Sequence, residues 1–180
     1  MNSEEVKKIE NIFRSSESHD ELFDAFQGAL RINLTDPEIY KILIANQALS
    51  TDEIKMFAEK LIKEFPEIAF DLLMWTGKIL ENKSGNYNHL EESFNYYRRA
   101  GSSKPESGIP LLNILNLYNY DIDLPANGII IELCEKSMDA VSRKSEVYYA
   151  LSAHYKRCGD RLREIKYFAL AEKSLAKEGE

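Results

Sequence analysis

The sequence predicts an all-α protein of about ten antiparallel helices joined in pairs as hairpins. Hydrophobic residues make up 44% of the 180 residues and charged residues 29%, which is the balance of an ordinary globular protein. Only five prolines and eight glycines interrupt the chain, so long helices can form. Apolar residues recur at the three- and four-residue spacing of a helix along the whole length of the chain.

The clearest hairpin lies near the C-terminus. Tyr148, Leu151 and Tyr155 follow one another at i, i+3 and i+7, which places them on one face of a helix. Gly159-Asp160 then interrupts the pattern, because glycine readily ends a helix and aspartate can cap the next one. A second apolar face follows, formed by Ile165, Phe168 and Ala171.

This hairpin resembles a tetratricopeptide repeat, whose pattern of 34 residues is W-x2-L-G-x2-Y followed by A-x3-F. Tyr148 stands in the position of the tryptophan, and Ser152 and Glu164 depart from the glycine and the small alanine. The remaining motif positions agree with the family, namely Leu151, Tyr155, Gly159, Asp160, Phe168 and Ala171.

Similar hairpins can be placed backwards along the chain, near residues 3–36, 37–68, 69–107, 108–144 and 145–178. The resemblance therefore implies one domain over residues 1–180, a right-handed helical-repeat superhelix, or α-solenoid. An irregular helical bundle is the alternative. Longer inter-helix turns are expected at Asn82–Leu90 and Asn119–Gly128, and we expect the last helix to expose few apolar groups, as an end cap does. Packing between helices is assigned to Phe13, Phe26, Tyr40, Trp75, Tyr97, Tyr118, Tyr148 and Phe168.

In this family the first helix of each repeat lines a concave groove in which partners bind. The resemblance assigns to the groove Lys7, Asn11, Lys41, Ile42, Phe70, Leu73, Met74, Asn113, Asn116, Tyr149 and Arg157. These residues are basic towards both ends, apolar in the middle and rich in amides beside it. They predict a partner segment with apolar anchors and acidic flanks. Alternatively, the apolar members are buried, or they contact a second copy of the chain in a homo-oligomer.

Some relatives bind acidic chaperone C-termini through a carboxylate clamp of lysine, arginine and asparagine. Lys7 and Asn11 fit that clamp, but Ile42, Phe70 and Met74 replace its other residues. The sequence therefore predicts a different ligand.

Several other functions are disfavoured by composition and motifs. The net charge of −7 argues against nucleic acid as a partner. Neither a signal peptide nor a membrane-spanning stretch is recognisable, and two cysteines make no disulfide framework, so a cytoplasmic protein without membrane insertion is expected. No phosphate-binding loop, dinucleotide fingerprint or activated nucleophile is present, which predicts a non-enzymatic protein without a cofactor or catalytic residues.

Two patterns resemble metal sites. His154 and Cys158 are four residues apart on one helix, but zinc needs three or four ligands. Asn119, Asp121 and Asp123 alternate as calcium ligands do, but the required glycine and final glutamate are missing. We interpret both as packing and turn residues and predict no metal site.

A scaffold or adaptor that binds a protein or peptide is the function that the sequence favours. A small secretion or assembly chaperone for one client is an alternative, and so is a regulatory subunit of an enzyme complex. A helical-repeat RNA-binding protein fits less well, because the chain is acidic and the groove has no repeated base-reading set.

Overall fold

The computed structural model describes residues 3–83, 87–121 and 125–179, and these residues form helices without any strand. The prediction of an all-α protein is therefore confirmed. The described helices are α1 (Ser3–Ser15), α2 (His19–Arg31), α3 (Pro37–Ile44), α4 (Thr51–Glu64), α5 (Ala69–Asn82), α6 (Tyr87–Ser103), α7 (Ile109–Asn116), α8 (Pro125–Ser137), α9 (Lys144–Arg157) and α10 (Arg161–Glu178), with a short 3-10 helix at Pro66–Ile68.

The helix starts agree with the starts of the hairpins placed in the sequence. Helices α1, α3 and α5 begin at the expected residues, and α7 and α9 begin within one residue of them. Local interactions set the start of α3, because Asp36 accepts a hydrogen bond from the backbone N–H of Glu38 and Pro37 occupies the first turn. The two longer turns are shorter than expected, because α6 and α8 already begin at Tyr87 and Pro125.

The chain divides into two compact units after Ser93, within α6. We call residues 1–93 the N-terminal unit and residues 94–180 the C-terminal unit. The single domain implied by the resemblance stays a prediction.

In the N-terminal unit, α1 packs against α2 and α3, and α5 packs against both α3 and α4. A capping box begins α4, since Ser50 and Glu53 exchange side-chain and backbone hydrogen bonds. Tyr40 is fully buried and donates its hydroxyl to the carbonyl of Leu34 at 2.7 Å. The largest fully buried side chains of this unit are Phe13, Leu22, Leu34, Tyr40, Leu43, Ile44, Leu49, Ile54, Leu61, Leu72 and Leu80.

In the C-terminal unit, α7 packs against α8 and α9, and α9 and α10 form the most extensive helical contact. Gly159 has a φ of 74°, a left-handed conformation that ends α9. Asp160 then accepts a hydrogen bond from the N–H of Arg163 at 3.0 Å and caps α10. The predicted turn is therefore confirmed. The fully buried positions in this unit include Tyr97, Ala100, Cys134, Val147, Leu151 and Ala171.

Two expectations about α10 are wrong. Phe168 is 52% exposed and Ile165 is 53% exposed, so neither fills the core. Instead, α10 packs on α9 through the face of Tyr167 and Ala171, which are buried. Successive residues are about 100° apart around a helix, so the face next to Tyr167 points elsewhere. The last helix therefore exposes several large apolar side chains, unlike the polar end expected.

Candidate protein-binding surfaces

An open cleft of about 910 Å³ lies along the N-terminal unit, between residues of α1, α3 and α5. Its apolar lining includes Ile42, Ala45 and Trp75, and its basic lining includes Arg14 and Lys41. A cleft of this size accepts several side chains of a bound segment. Its remaining lining residues are Phe13, Ser15, Ser16, Glu17, His19, Glu38, Asn46, Gln47 and Ala48.

Trp75 is held in this cleft by α3. Its indole Nε1–H donates to the carbonyl oxygen of Lys41 at 2.9 Å. The Lys41 ammonium lies 6.0 Å from the Trp75 ring centroid and pairs with Glu38 at 2.6 Å. The indole is thus fixed at its polar edge while its apolar body remains half-buried at the cleft.

Asn46 connects the ends of α1 and α3. Its Nδ2 donates to the carbonyls of Phe13 at 2.9 Å and Ser16 at 3.0 Å, and its Oδ1 accepts from the N–H of Ala48 at 2.8 Å. These three bonds satisfy most of what an amide can form. Asn46 therefore shapes the end of the cleft rather than offering a free amide to a partner.

A second cleft of about 650 Å³ shares Arg14, Glu38 and Ile42 with the first, so the two form one surface. We call this the first-helix cleft. Lys7 lines the second part, and it has no ion pair among the residues that the structure describes. Arg14 pairs with Glu10 at 2.8 Å on the same helix. Exposed pairs of this kind contribute about 0–1 kcal/mol, so a bound carboxylate can replace Glu10 or Glu38 at little cost.

The structure brings three of the predicted groove residues, Lys7, Lys41 and Ile42, onto this surface. Asn11 lies beside Lys7 in a neighbouring depression of about 840 Å³ on α1.

Phe70, Leu73 and Met74 have a different environment on α5. Leu73 is only 3% exposed and therefore packs in the core. Phe70 and Met74 are half-buried and do not line the first-helix cleft. Their role in binding stays a prediction.

Three of the four predicted groove residues of the C-terminal unit make contacts within that unit, and the fourth, Asn116, is exposed at the end of α7. Asn113 donates to the carbonyl of Ile109 at 2.9 Å. The Tyr149 hydroxyl donates to Glu172, and the Arg157 guanidinium lies 5.0 Å from the Tyr120 ring centroid. A cleft of about 300 Å³ in this unit contains none of the four and is lined by α6, α7, α8 and nearby loop residues.

His154 is 3% exposed and is surrounded by aromatic rings. The centroids of Tyr118 and Tyr155 lie 4.4 and 5.0 Å from its ring centroid. Its Nδ1 lies 3.1 Å from the Tyr120 hydroxyl, and its Nε2 lies 3.7 Å from the Cys158 sulfur. Burial lowers the pKa of His154, which keeps the imidazole neutral near pH 7.

Within residues 3–83, 87–121 and 125–179, no three His, Cys, Asp or Glu side chains come together as metal ligands. Asp123, the third member of the alternating acidic pattern, lies outside the described residues.

Trp75, which the sequence pattern assigns to packing, lines the first-helix cleft. Placing the third repeat at Ala69 pairs Leu73 with Lys41, whereas the structure places Trp75 against Lys41. A shift of two residues turns a helix by about 200°, which exchanges buried and exposed positions. The separation of 34 residues between Lys41 and Trp75, which equals the repeat length of the family, is the signal that could have identified it.

None of the helices in the described part of the chain has the length and hydropathy to cross a membrane. No family model, curated protein or solved structure matches the chain, so its function must be inferred from its own residues and contacts.

Proposed function

We propose that this protein is a non-enzymatic interaction module, a tetratricopeptide-like superhelix that binds a segment of another protein along its first helices. The observation that carries the proposal is the continuous first-helix cleft, in which the apolar Ile42 and Trp75 lie beside the basic Lys7, Arg14 and Lys41. Such a surface fits a segment with apolar anchors and acidic flanks.

The spacing of long-range hydrogen bonds supports a repeat of the tetratricopeptide kind. When equivalent positions of adjacent repeats are neighbours, contacts recur at the repeat length of 34 residues. Among the described residues, hydrogen bonds that join residues 34 apart include Trp75 to Lys41, Lys83 to Leu49, His19 to Glu53 and Tyr120 to His154. Side-by-side packing of α1 on α3, α3 on α5 and α7 on α9 also agrees with stacked hairpins.

The apolar and the basic residues of the cleft contribute to binding in different ways. Binding is favourable when a side chain of the partner covers the half-exposed apolar area of Ile42 and Trp75, because that area is then removed from water. Lys7 adds a charge that no described carboxylate neutralises, and Lys41 and Arg14 add charges held only by pairs within their own helices. We therefore expect apolar burial to provide most of the affinity and the basic residues to orient the segment.

The test is affinity capture from a lysate of the source organism, followed by mass spectrometry. The wild type is compared with a cleft variant, Lys7→Glu/Ile42→Glu, and with a variant of α5, Phe70→Glu/Met74→Glu. A matched control, Met56→Glu/Lys63→Glu, changes an exposed apolar residue and an exposed lysine on α4. Circular dichroism establishes that each variant is folded.

We expect a protein that the wild type and the control enrich and the cleft variant loses. Trp75 is the single tryptophan and lies in the cleft, so peptides from the captured protein can then be titrated against its fluorescence. A shift in its emission would confirm occupation of the cleft. Equal capture by all four proteins would contradict the proposal, and loss only in the α5 variant would place the site on Phe70 and Met74 instead.

A further inference from the structure

The exposed side of α10 carries a row of large apolar side chains. Leu162 is 83% exposed, Ile165 53%, Phe168 52% and Leu175 47%. At 1.5 Å per residue the row extends about 20 Å along the helix. Isolated exposed apolar residues are common on proteins, but these four lie on one side of one helix and form a row that only Glu172 interrupts, between Phe168 and Leu175. We call this surface the α10 stripe.

The stripe is distinct from the face that α10 uses within the molecule. Tyr167 and Ala171 are buried and pack towards α9. At about 100° per residue, the stripe lies beside that face and covers an arc of about 140°. Phe168 contacts α9 through an edge-on arrangement with the Tyr149 ring, at a centroid distance of 5.9 Å. The stripe is therefore open to a partner without any rearrangement of the hairpin.

One edge of the stripe is a row of lysines. Lys166, Lys173 and Lys177 follow Leu162 at spacings that place all four on one line along the helix. Lys173 and Lys177 are exposed and have no ion pair in the described part of the chain. Lys166 lies 5.1 Å from the Tyr167 ring centroid.

The carboxylates of α10 are, in contrast, already engaged. Glu164 pairs with Arg161 at 2.8 Å, and its side chain is only 15% exposed. Glu172 accepts from the Tyr149 hydroxyl, and Glu178 accepts from the backbone N–H of Ser145 at 3.0 Å. Glu172 and Glu178 keep their negative charge, but at about 100° per residue all three carboxylates lie away from the line of the lysines. The lysine edge of the stripe is therefore positive, although the whole chain has a net charge of −7.

We propose that the α10 stripe binds an amphipathic helix of another protein, with an apolar face over Leu162, Ile165, Phe168 and Leu175 and acidic residues along the one edge that meets the lysines. Helices associate in this way when apolar side chains interdigitate and flanking charges fix the orientation. This second surface lies on a different helix from the first-helix cleft and does not depend on the function proposed for that cleft.

Two other occupants fit the charges less well. In an antiparallel pair of copies, two-fold symmetry brings the same edge of each helix together, so lysines would face lysines. In a parallel pair the lysines would face Glu164, which is covered and paired with Arg161. An anionic membrane would be repelled by the carboxylate of Glu172, which lies between Phe168 and Leu175 on the stripe. It would also be repelled by the net charge of −7 of the chain.

The test uses two synthetic helical peptides that share one apolar face and carry a fluorescent label. One has glutamates along a single edge, and its twin has lysines at the same positions. Binding to the whole 180-residue chain is measured by fluorescence anisotropy, and hydrogen exchange locates the peptide. The variants are Ile165→Ser/Phe168→Ser and Lys173→Glu/Lys177→Glu, which change exposed residues, and Met56→Ser/Lys63→Glu on α4 is the matched control.

We expect the wild type and the control to bind the glutamate peptide at least about tenfold more tightly than its twin, with slower exchange in α10. The serine variant should lose the slower exchange in α10 with both peptides. In the Lys173→Glu/Lys177→Glu variant the lysine peptide should slow exchange in α10 more than the glutamate peptide does, a reversal that partial unfolding cannot produce. Lys7→Glu/Ile42→Glu should keep the slower exchange in α10, which separates this surface from the first-helix cleft.

Equal affinity for the two peptides would overturn the proposal, and so would slower exchange in α10 that survives the α10 changes. Sedimentation of the wild type as a dimer that the serine variant abolishes would instead assign the stripe to a second copy. Sedimentation with phosphatidylserine vesicles that the same variant abolishes would assign it to a membrane. Either result would refute the partner helix.

Discussion

Removal of the Glu135 carboxylate should destabilise the protein by about 2 kcal/mol, because two buried tyrosines depend on it. Its Oε1 accepts hydrogen bonds from the hydroxyls of Tyr155 at 2.8 Å and Tyr167 at 2.6 Å. The two rings stack with a centroid distance of 5.4 Å and are 4% and 6% exposed. Glu135 thus links α8 to both helices of the α9–α10 hairpin.

The magnitude follows from the number of bonds and from the access of water. A hydrogen bond to a charged acceptor contributes roughly 1.5–3 kcal/mol when it is buried. Glu135 itself is exposed, so water screens the interaction and we reduce each bond to about 1 kcal/mol. Glu135→Ala should therefore cost about 2 kcal/mol, and Tyr155→Phe or Tyr167→Phe about 1 kcal/mol each.

The assay is urea unfolding followed by circular dichroism, arranged as a double-mutant cycle. In the Tyr155→Phe/Tyr167→Phe background, Glu135→Ala should change the free energy of unfolding by less than about 0.5 kcal/mol, since no hydroxyl remains to lose its acceptor. Glu132→Ala on the same helix, whose exposed carboxylate pairs with Lys136, is the control. An equal cost of Glu135→Ala in both backgrounds would refute the reasoning.

The contribution of Glu135 to the free energy of unfolding should depend on pH. Burial alone would raise the pKa of Glu135, but hydrogen bonds from Tyr167 and Tyr155 and the charges of Arg163 and Lys166 hold that pKa below its ordinary value of 4.5. Its ionised form is therefore favoured in the folded state, so its contribution is present above pH 4.5 and is lost as the pH falls through the folded pKa. The difference in the free energy of unfolding between wild type and Glu135→Gln should therefore decrease as the pH falls below 4.5.

Two further predictions concern buried side chains and are checked by the same unfolding measurements. Leu151 is fully buried, so Leu151→Ala should lower the free energy of unfolding by about 2–5 kcal/mol. Leu162→Ala on the exposed stripe is the control and should change it by less than about 0.5 kcal/mol. Similar costs for the two changes would mean that the buried face of the hairpin is misassigned. The buried Oγ1 of Thr76 has no hydrogen-bond partner among the described residues. Thr76→Val should therefore stabilise the protein by about 1 kcal/mol, because it removes an unsatisfied polar group from the core. A loss of stability would indicate that the hydroxyl has a partner that this structure does not provide.

Part of the candidate site could be predicted from sequence because it depends on short-range pattern. Lys7, Lys41 and Ile42 lie on α1 and α3, and the start of α3 at Pro37 is set by the local signals of the Asp36 cap and the proline. The structure places the three side chains along the first-helix cleft, and their role in binding stays a prediction. Trp75 could not be placed in the same way. The short 3-10 helix at Pro66–Ile68 precedes α5, and an offset of two residues decides whether Trp75 or Leu73 faces the cleft.

The sequence by itself determined the helices, the starts of α1, α3, α5, α7 and α9 to within one residue, and the turn between α9 and α10. Turn chemistry at Gly159 and Asp160 and the helical spacing of Leu151 and Tyr155 act within a few residues, so they can be interpreted without a fold. Only the tertiary structure decided which apolar face another helix covers. Ile165 and Phe168 have the same spacing as core residues, yet they are exposed because α9 packs on the neighbouring face of α10 and no described helix covers theirs. Burial depends on the position of a second helix, and the hydrophobic pattern of the first does not contain that position.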